Sequence, residues 1–130
     1  MNTGKKRILV IDDNADIRNL IQFIFEKAGI SVSQGSDGEN GLAQLKSEKP
    51  DLVLLDSMMP GISGLDVLKT IREDSDPNLN QVPVVMLTAN SATEDMKTAF
   101  ELGASSYIVK PFKNNQIVAE IDSILQLKVS

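Results

Sequence analysis

Asp51-Leu52-Val53-Leu54-Leu55-Asp56 is the stretch that decides the fold. Its interior is apolar without a break, and such continuity points to a strand covered on both faces, as in a parallel sheet, rather than to one facing water. Moving outward, runs of the same kind recur. Ile8-Leu9-Val10-Ile11 precedes Asp12, Val84-Val85-Met86-Leu87 precedes Thr88, and Tyr107-Ile108-Val109 precedes Lys110. A weaker run lies around Ser31 to Gln34.

The segments between these runs carry a helical period. Ile17, Leu20, Ile21, Ile24 and Ala28 recur at three- and four-residue steps, with Gly29 as a stop. Leu42 and Leu45 mark a second helix. Leu65, Leu68 and Ile71 mark a third, starting near Ser63 or Gly64. Ser91-Ala92-Thr93-Glu94 has the capping-box form, and Met96, Ala99 and Phe100 follow on one face. Ile117, Ile121 and Ile124 mark the last helix. The order is therefore a strand followed by a helix, five times over, with right-handed crossovers and a sheet sandwiched between helices: a three-layer, doubly wound α/β fold. The longest irregular stretch is the polar one from Asp74 to Gln81, containing Pro77.

A chain of 130 residues fits one domain. It contains neither cysteine nor histidine, which excludes disulfides, thiol nucleophiles, thiolate metal sites and imidazole bases. Chemistry is left to carboxylates, hydroxyls, lysine and backbone. The net charge of −5 makes the domain a poor tracker of a phosphate backbone. The basic opening Lys5-Lys6-Arg7 leads into an apolar run that ends at Asp12, too short for a secretory signal, and no run approaches membrane-spanning length. Cytoplasmic location is expected, with no direct nucleic-acid binding and no membrane contact.

Ligands of such folds sit at the carboxyl ends of the strands. Asp12 and Asp13 close the first strand, Asp56 the third, Thr88 the fourth and Lys110 the fifth. Two carboxylates about 4 Å apart at an effective dielectric of about 20 repel by roughly 4 kcal/mol, more than one lysine offsets for three acids. A divalent cation offsets the rest, and an all-oxygen site suits Mg²⁺ better than Zn²⁺. With Lys110 and a metal neutralising a transferred phosphoryl group and Thr88 donating to it, Asp56 is placed as a nucleophile. The competing reading is that Asp12 or Asp13 merely caps the first helix.

Other motifs fail on inspection. The loops starting at Asp12 and Asp74 lack the glycine and the bidentate Glu of a calcium site, having Ile17 and Phe23, or Leu79 and Val85, in those places. Gly35, Gly38 and Gly41 match no nucleotide-binding pattern and read as turn and packing glycines. Met86 and Met96 read as core. A phosphatase of the haloacid-dehalogenase type needs a second Asp two residues after its nucleophile at the end of the first strand, and that spacing pairs Asp12 with Asn14.

Taken together, Ile8-Leu9-Val10-Ile11-Asp12-Asp13, Leu54-Leu55-Asp56-Ser57-Met58-Met59-Pro60-Gly61 with Gly64, Leu87-Thr88-Ala89, Gly103-Ala104 and Lys110-Pro111-Phe112 closely resemble the receiver domains of two-component response regulators. The resemblance implies a flavodoxin-like sheet of order 2-1-3-4-5. It implies that Asp56 accepts a phosphoryl group from a histidine kinase or phosphotransfer protein. Asp13, Asp56 and the Met58 backbone carbonyl would bind Mg²⁺, or Mn²⁺ in its place, with Asp12 acting largely through water. Lys110 would bind a phosphoryl oxygen, Thr88 would move toward the group, and Tyr107 would turn inward with it. Met58 and Asn90 would flank the hydrolytic water and set the lifetime. The kinase would dock near the first helix. A downstream effector would bind the fourth helix, fifth strand and fifth helix. The protein would be a switch and phosphorelay component catalysing only its own phosphorylation and dephosphorylation. The expected organisation is a single receiver domain over residues 1–130, with its core at about 6–128 and no output domain. It would be either a stand-alone, chemotaxis-type regulator or a receiver belonging to a longer protein. The Lys110–Pro111 bond is expected to be cis, turning Lys110 toward Asp56.

Overall fold

The computed structural model describes residues 6–89 and 92–125. The strands are β1 (Arg7–Ile11), β2 (Ser31–Gly35), β3 (Leu52–Leu55), β4 (Val84–Thr88) and β5 (Ser106–Val109). All pair in parallel, in the order β2-β1-β3-β4-β5. The helices are α1 (Ala15–Lys27), α2 (Gly38–Glu48), α3 (Gly64–Arg72), α4 (Pro77–Asn80), α5 (Thr93–Glu101) and α6 (Asn114–Leu125).

The unbroken apolar runs are explained by two cores, one on each face of the sheet. Successive strand side chains point to opposite faces. Ile8, Val10, Leu52, Leu54, Val85 and Leu87 meet Ile21 and Phe25 of α1 and Ile117 and Ile121 of α6. Leu9, Ile11, Val53, Leu55, Val84 and Met86 meet Leu45 of α2, Val67, Leu68 and Ile71 of α3, and Ala99 of α5. Each central strand is therefore apolar on both sides, and polar residues begin only where the strands end.

Three expectations need correction. The polar stretch from Asp74 to Gln81 contains a one-turn helix, α4, with Asp76 accepting from the Asn78 N–H as its cap and Pro77 at its first position, where a missing N–H costs nothing. Arg72 holds this turn in place by donating to the carbonyls of Asn80 and Val82 while also binding that of Gly103. The helix expected to be capped by Ser91 begins at Thr93 with Ala92 as its cap residue, and Ser91 lies outside the described residues. On that helix Ala99 is buried, but Met96 is half-buried and Phe100 is 47% exposed, its ring tilted against Tyr107 at a centroid distance of 6.5 Å. Only one residue of the expected apolar trio is thus in the core.

The glycines near α2 pack closely, as expected. A Cβ on Gly41 would stand 2.5 Å from Ile11 Cδ1, and one on Gly35 would stand 2.8 Å from the Gly41 Cα. No described helix is long and apolar enough to cross a membrane.

Candidate functional site

Register brings the site together. Ile11 pairs with Leu55, Leu55 with Met86, and Thr88 with Val109. The ladder runs one step past the strands, with the Asp56 N–H donating to the Ile11 carbonyl at 2.9 Å and the Lys110 N–H to the Thr88 carbonyl at 2.8 Å. Asp12 and Asp56 therefore stand side by side, and Thr88 and Lys110 follow in a staggered row at the same end of the sheet. Lys110 is followed by a cis bond to Pro111, as expected.

Asp12 and Thr88 are fully buried, Asp56 is 5% exposed and Asp13 faces solvent. Carboxylate oxygens of Asp12, Asp13 and Asp56 all lie within 4.8 Å of one another. Lys110 Nζ is 2.8 Å from Asp12 Oδ2 and 3.6 Å from Asp56 Oδ2. The Met58 N–H donates to Asp56 Oδ1 at 3.0 Å. Burial is the main force raising the Asp56 carboxyl above its ordinary range. Asp12 and Asp13 push the same way, while the Met58 N–H and Lys110 pull it down.

The capping reading of the acids fails for a specific reason. Asn14 caps α1, its side-chain oxygen accepting from the N–H groups of Asp16 and Ile17. Asp12 lies two residues back, accepting from the Asn14 N–H at 2.9 Å, and Asp13 is left to the site. The same arrangement commits Asn14 to structure, so it does not fill the place of a phosphatase's second acid. Arg18 steadies the turn by donating to the Asp12 carbonyl at 2.7 Å and to Gln34 Oε1 at 2.9 Å.

Among the described residues, three carboxylates and the one ammonium paired with them leave two uncompensated negative charges, the charge of one divalent cation. The donor set is all oxygen and half open to solvent through Asp13, which suits a hard ion that keeps part of its water shell. The residues fit Mg²⁺.

Gly64 sets the height of the site. It begins α3, and a Cβ there would collide with the Asp56 carbonyl oxygen and stand 2.5 Å from the Ser57 Cα. These are backbone atoms, which do not swing aside. Gly64→Ala is therefore expected to lower stability by about 1–3 kcal/mol and to slow modification of Asp56 in the folded fraction. Denaturant midpoints and labelling rates check this; wild-type values for both would show that the β3 end yields freely.

Other expected residues fall as follows. Tyr107 is half-buried on β5, and burial followed by the Asp95 carboxylate pushes its phenol above the ordinary range. Met58 enters the site through its backbone, its side chain being 61% exposed at the rim. Asn90 lies outside the described residues. No motif of the sequence assigns a role to the side chain of Ser57, whose hydroxyl donates to Thr88 Oγ1 at 2.6 Å, or to Arg18, and both enter the site through the fold. The strand register alone signals Ser57, since it lies level with Thr88.

This sheet edge, with its three acids, hydroxyl and ammonium, belongs to a known class: the response regulator receiver domain family model matches residues 8–122, and the chain belongs to that family. It is the receiver module of two-component systems. Among curated relatives, the DNA-binding response regulator MtrA of Mycobacterium tuberculosis is 40% identical over 126 residues, covering 97% of this chain and 53% of MtrA. The probable transcriptional regulator ycf27 of Porphyridium aerugineum is 44% identical over 122 residues, covering 94% of this chain and 49% of ycf27. The chain thus spans about half the length of the curated relatives it matches. The solved structure of Vibrio cholerae chemotaxis protein CheY4 is similar at a TM-score of 0.87 and 26% identity, covering 93% of this chain and 99% of that one.

Proposed function

We propose that Asp56 is the phosphoacceptor of a Mg²⁺-dependent switch. The observation that carries this is the convergence of Asp12, Asp13 and Asp56 within 4.8 Å, with Lys110 between Asp12 and Asp56. The donor is a phosphohistidine on a histidine kinase or phosphotransfer protein. An Asp56 carboxylate oxygen attacks phosphorus, the phosphorus–nitrogen bond breaks, and the imidazole leaves with the electron pair and takes up a proton. Asp13, Asp56 and the Met58 carbonyl would hold Mg²⁺ or Mn²⁺, with Asp12 acting through water, and such an ion would supply positive charge beside the transferred oxygens. Lys110 stabilises one of those oxygens, and Thr88 donates to another. The domain then presents a changed α5-β5-α6 surface, which includes Tyr107, to an effector protein. We take residues 1–130 as a single receiver domain that catalyses only its own phosphorylation and dephosphorylation.

Acetyl phosphate with Mg²⁺ tests this. A lasting mass gain on the wild type that is absent from Asp56→Asn supports the switch. Continuous turnover without accumulation would favour a phosphatase, and no reaction would leave a binding module only.

The lifetime of the phosphorylated form is expected to be long. Hydrolysis needs an oriented water, and the exposed, apolar Met58 side chain at the rim offers no strong hydrogen bond to hold one. Asn90, a neutral amide, does not act as a base. Met58→Asn combined with Asn90→Glu is expected to speed dephosphorylation in excess Mg²⁺. Unchanged or slower hydrolysis in the double variant would show that these side chains do not set the lifetime.

A further inference from the structure

Ser57 follows the acceptor directly, yet neither the metal site nor the transfer step uses its side chain. Val53, Leu54 and Leu55 pair with Val84, Val85 and Met86. Continued two residues, that register sets Ser57 level with Thr88 on the neighbouring strand. The Ser57 hydroxyl donates to Thr88 Oγ1 at 2.6 Å, a tight bond for two neutral hydroxyls. Asp56 meanwhile has partners of its own, the Met58 N–H on Oδ1 and Lys110 on the Oδ2 side. Beside Ser57 lies a cavity of about 160 Å³ reaching past Leu65 to Tyr107 and Asp95.

We propose that Ser57 is a latch residue: its bond to Thr88 holds the threonine hydroxyl in the resting position and sets the cost of recruiting it to a phosphoryl group on Asp56. The proposal rests on Asp56 being the acceptor. A phosphoryl group adds three strong acceptor oxygens beside Thr88. A hydrogen bond to such an oxygen is charge-assisted and about twice as strong as one between neutral groups. Thr88 donates its own hydroxyl hydrogen to the phosphoryl oxygen, and it is the movement of its side chain toward that oxygen, not competition for the hydrogen, that breaks the bond it accepts from Ser57. The freed Ser57 hydroxyl remains beside the cavity, where water can take the vacated bond. Removing the Ser57 hydroxyl destabilises the resting position, in which fully buried Thr88 loses this bond, and leaves the recruited position intact. Ser57 is a positioning residue: it acts on the phosphoryl group only through Thr88.

The direction of the effect separates a latch from a purely structural contact. Loss of a structural bond lowers stability and leaves ligand affinity unchanged or weaker. Loss of a latch makes the phosphoryl-mimicking ligand bind tighter.

The test uses the full chain with Mg²⁺, titrated with beryllofluoride, a tetrahedral mimic of the acyl phosphate. Binding is followed by calorimetry and by the fluorescence of Tyr107, the chain's one tyrosine in the absence of tryptophan. Ser57→Ala is expected to bind beryllofluoride roughly three- to tenfold tighter, the equivalent of one ordinary hydrogen bond, with no gain in the melting temperature of the unliganded protein. Ser57→Thr, which keeps the hydroxyl, is expected to return the affinity to that of the wild type. In a Thr88→Ala background, Ser57→Ala is expected to change nothing. Equal or weaker binding by Ser57→Ala, while wild-type binding still requires Asp56, overturns the latch alone. Absence of Asp56-dependent binding in the wild type overturns the acceptor assignment and the latch with it.

Discussion

Adding Mg²⁺ at about 100 times its Kd is expected to stabilise this domain by roughly 2.7 kcal/mol, a rise of roughly 10 °C in melting temperature for a domain of this size. The effect is large because the unliganded fold carries its own electrostatic penalty. Asp12 and Asp56 are removed from water at the end of the sheet, with Asp13 beside them and, among the described residues, Lys110 the one ammonium paired with their carboxylates. The unfolded chain separates Asp56 from Asp12 and Asp13 and returns all three to water, so a cation that relieves their repulsion binds the folded state preferentially. Asp13→Asn is expected to remove most of the response, because it deletes the solvent-facing carboxylate of the group. Thermal melts across a Mg²⁺ series check both, and melting temperatures indifferent to Mg²⁺ up to tens of millimolar (roughly, for a weak carboxylate site) would contradict the metal site.

Asp56→Asn is the second large effect, and it has two parts. Modification by a small phosphodonor is expected to vanish. Without Mg²⁺, the variant is also expected to be more stable than the wild type at neutral pH. The sign follows from the raised carboxyl, for which burial is the first cause and Asp12 and Asp13 further ones. Between its ordinary pKa near 3.8 and its raised value in the fold, the native state holds a proton that the unfolded chain has released. Stability therefore falls as pH rises through that window, and the penalty persists above it. An amide at this position stays neutral and carries no such penalty. The difference between wild type and variant should shrink below the ordinary carboxyl range, where both side chains are neutral. Denaturant midpoints at neutral and acid pH check this. A variant less stable than the wild type at pH 7 without Mg²⁺ would show that Lys110 more than compensates the acids.

The strand ends were the most legible part of the sequence. In Leu52–Leu55 and Ile8–Ile11 the apolar runs are continuous because both sheet faces are covered, and the first polar residue after each marks where cover ends. That single rule placed Asp12, Asp56, Thr88 and Lys110. Short-range features were harder to read. α4 depends on Arg72 reaching carbonyls at Asn80, Val82 and Gly103, contacts that no local pattern encodes. The α1 cap was expected at Asp12 or Asp13, but it falls at Asn14, where the backbone is extended and the side chain accepts from Asp16 and Ile17. Phe100 has the spacing of a core residue but sits at the edge of α5, against Tyr107. Ser57 needs the pairing register to be seen, since in sequence it is one polar residue in a loop.

The assignment of Asp56 can be tested most directly by trapping the acyl phosphate. The protein is labelled with acetyl phosphate and Mg²⁺, then reduced with borohydride, which converts a phosphorylated aspartate to homoserine, and the peptides are sequenced by mass spectrometry. Homoserine at position 56, with no other aspartate or glutamate reduced, is the expected result. Homoserine at Asp12 or Asp13, or labelled protein in which Asp56 is unchanged, would contradict it.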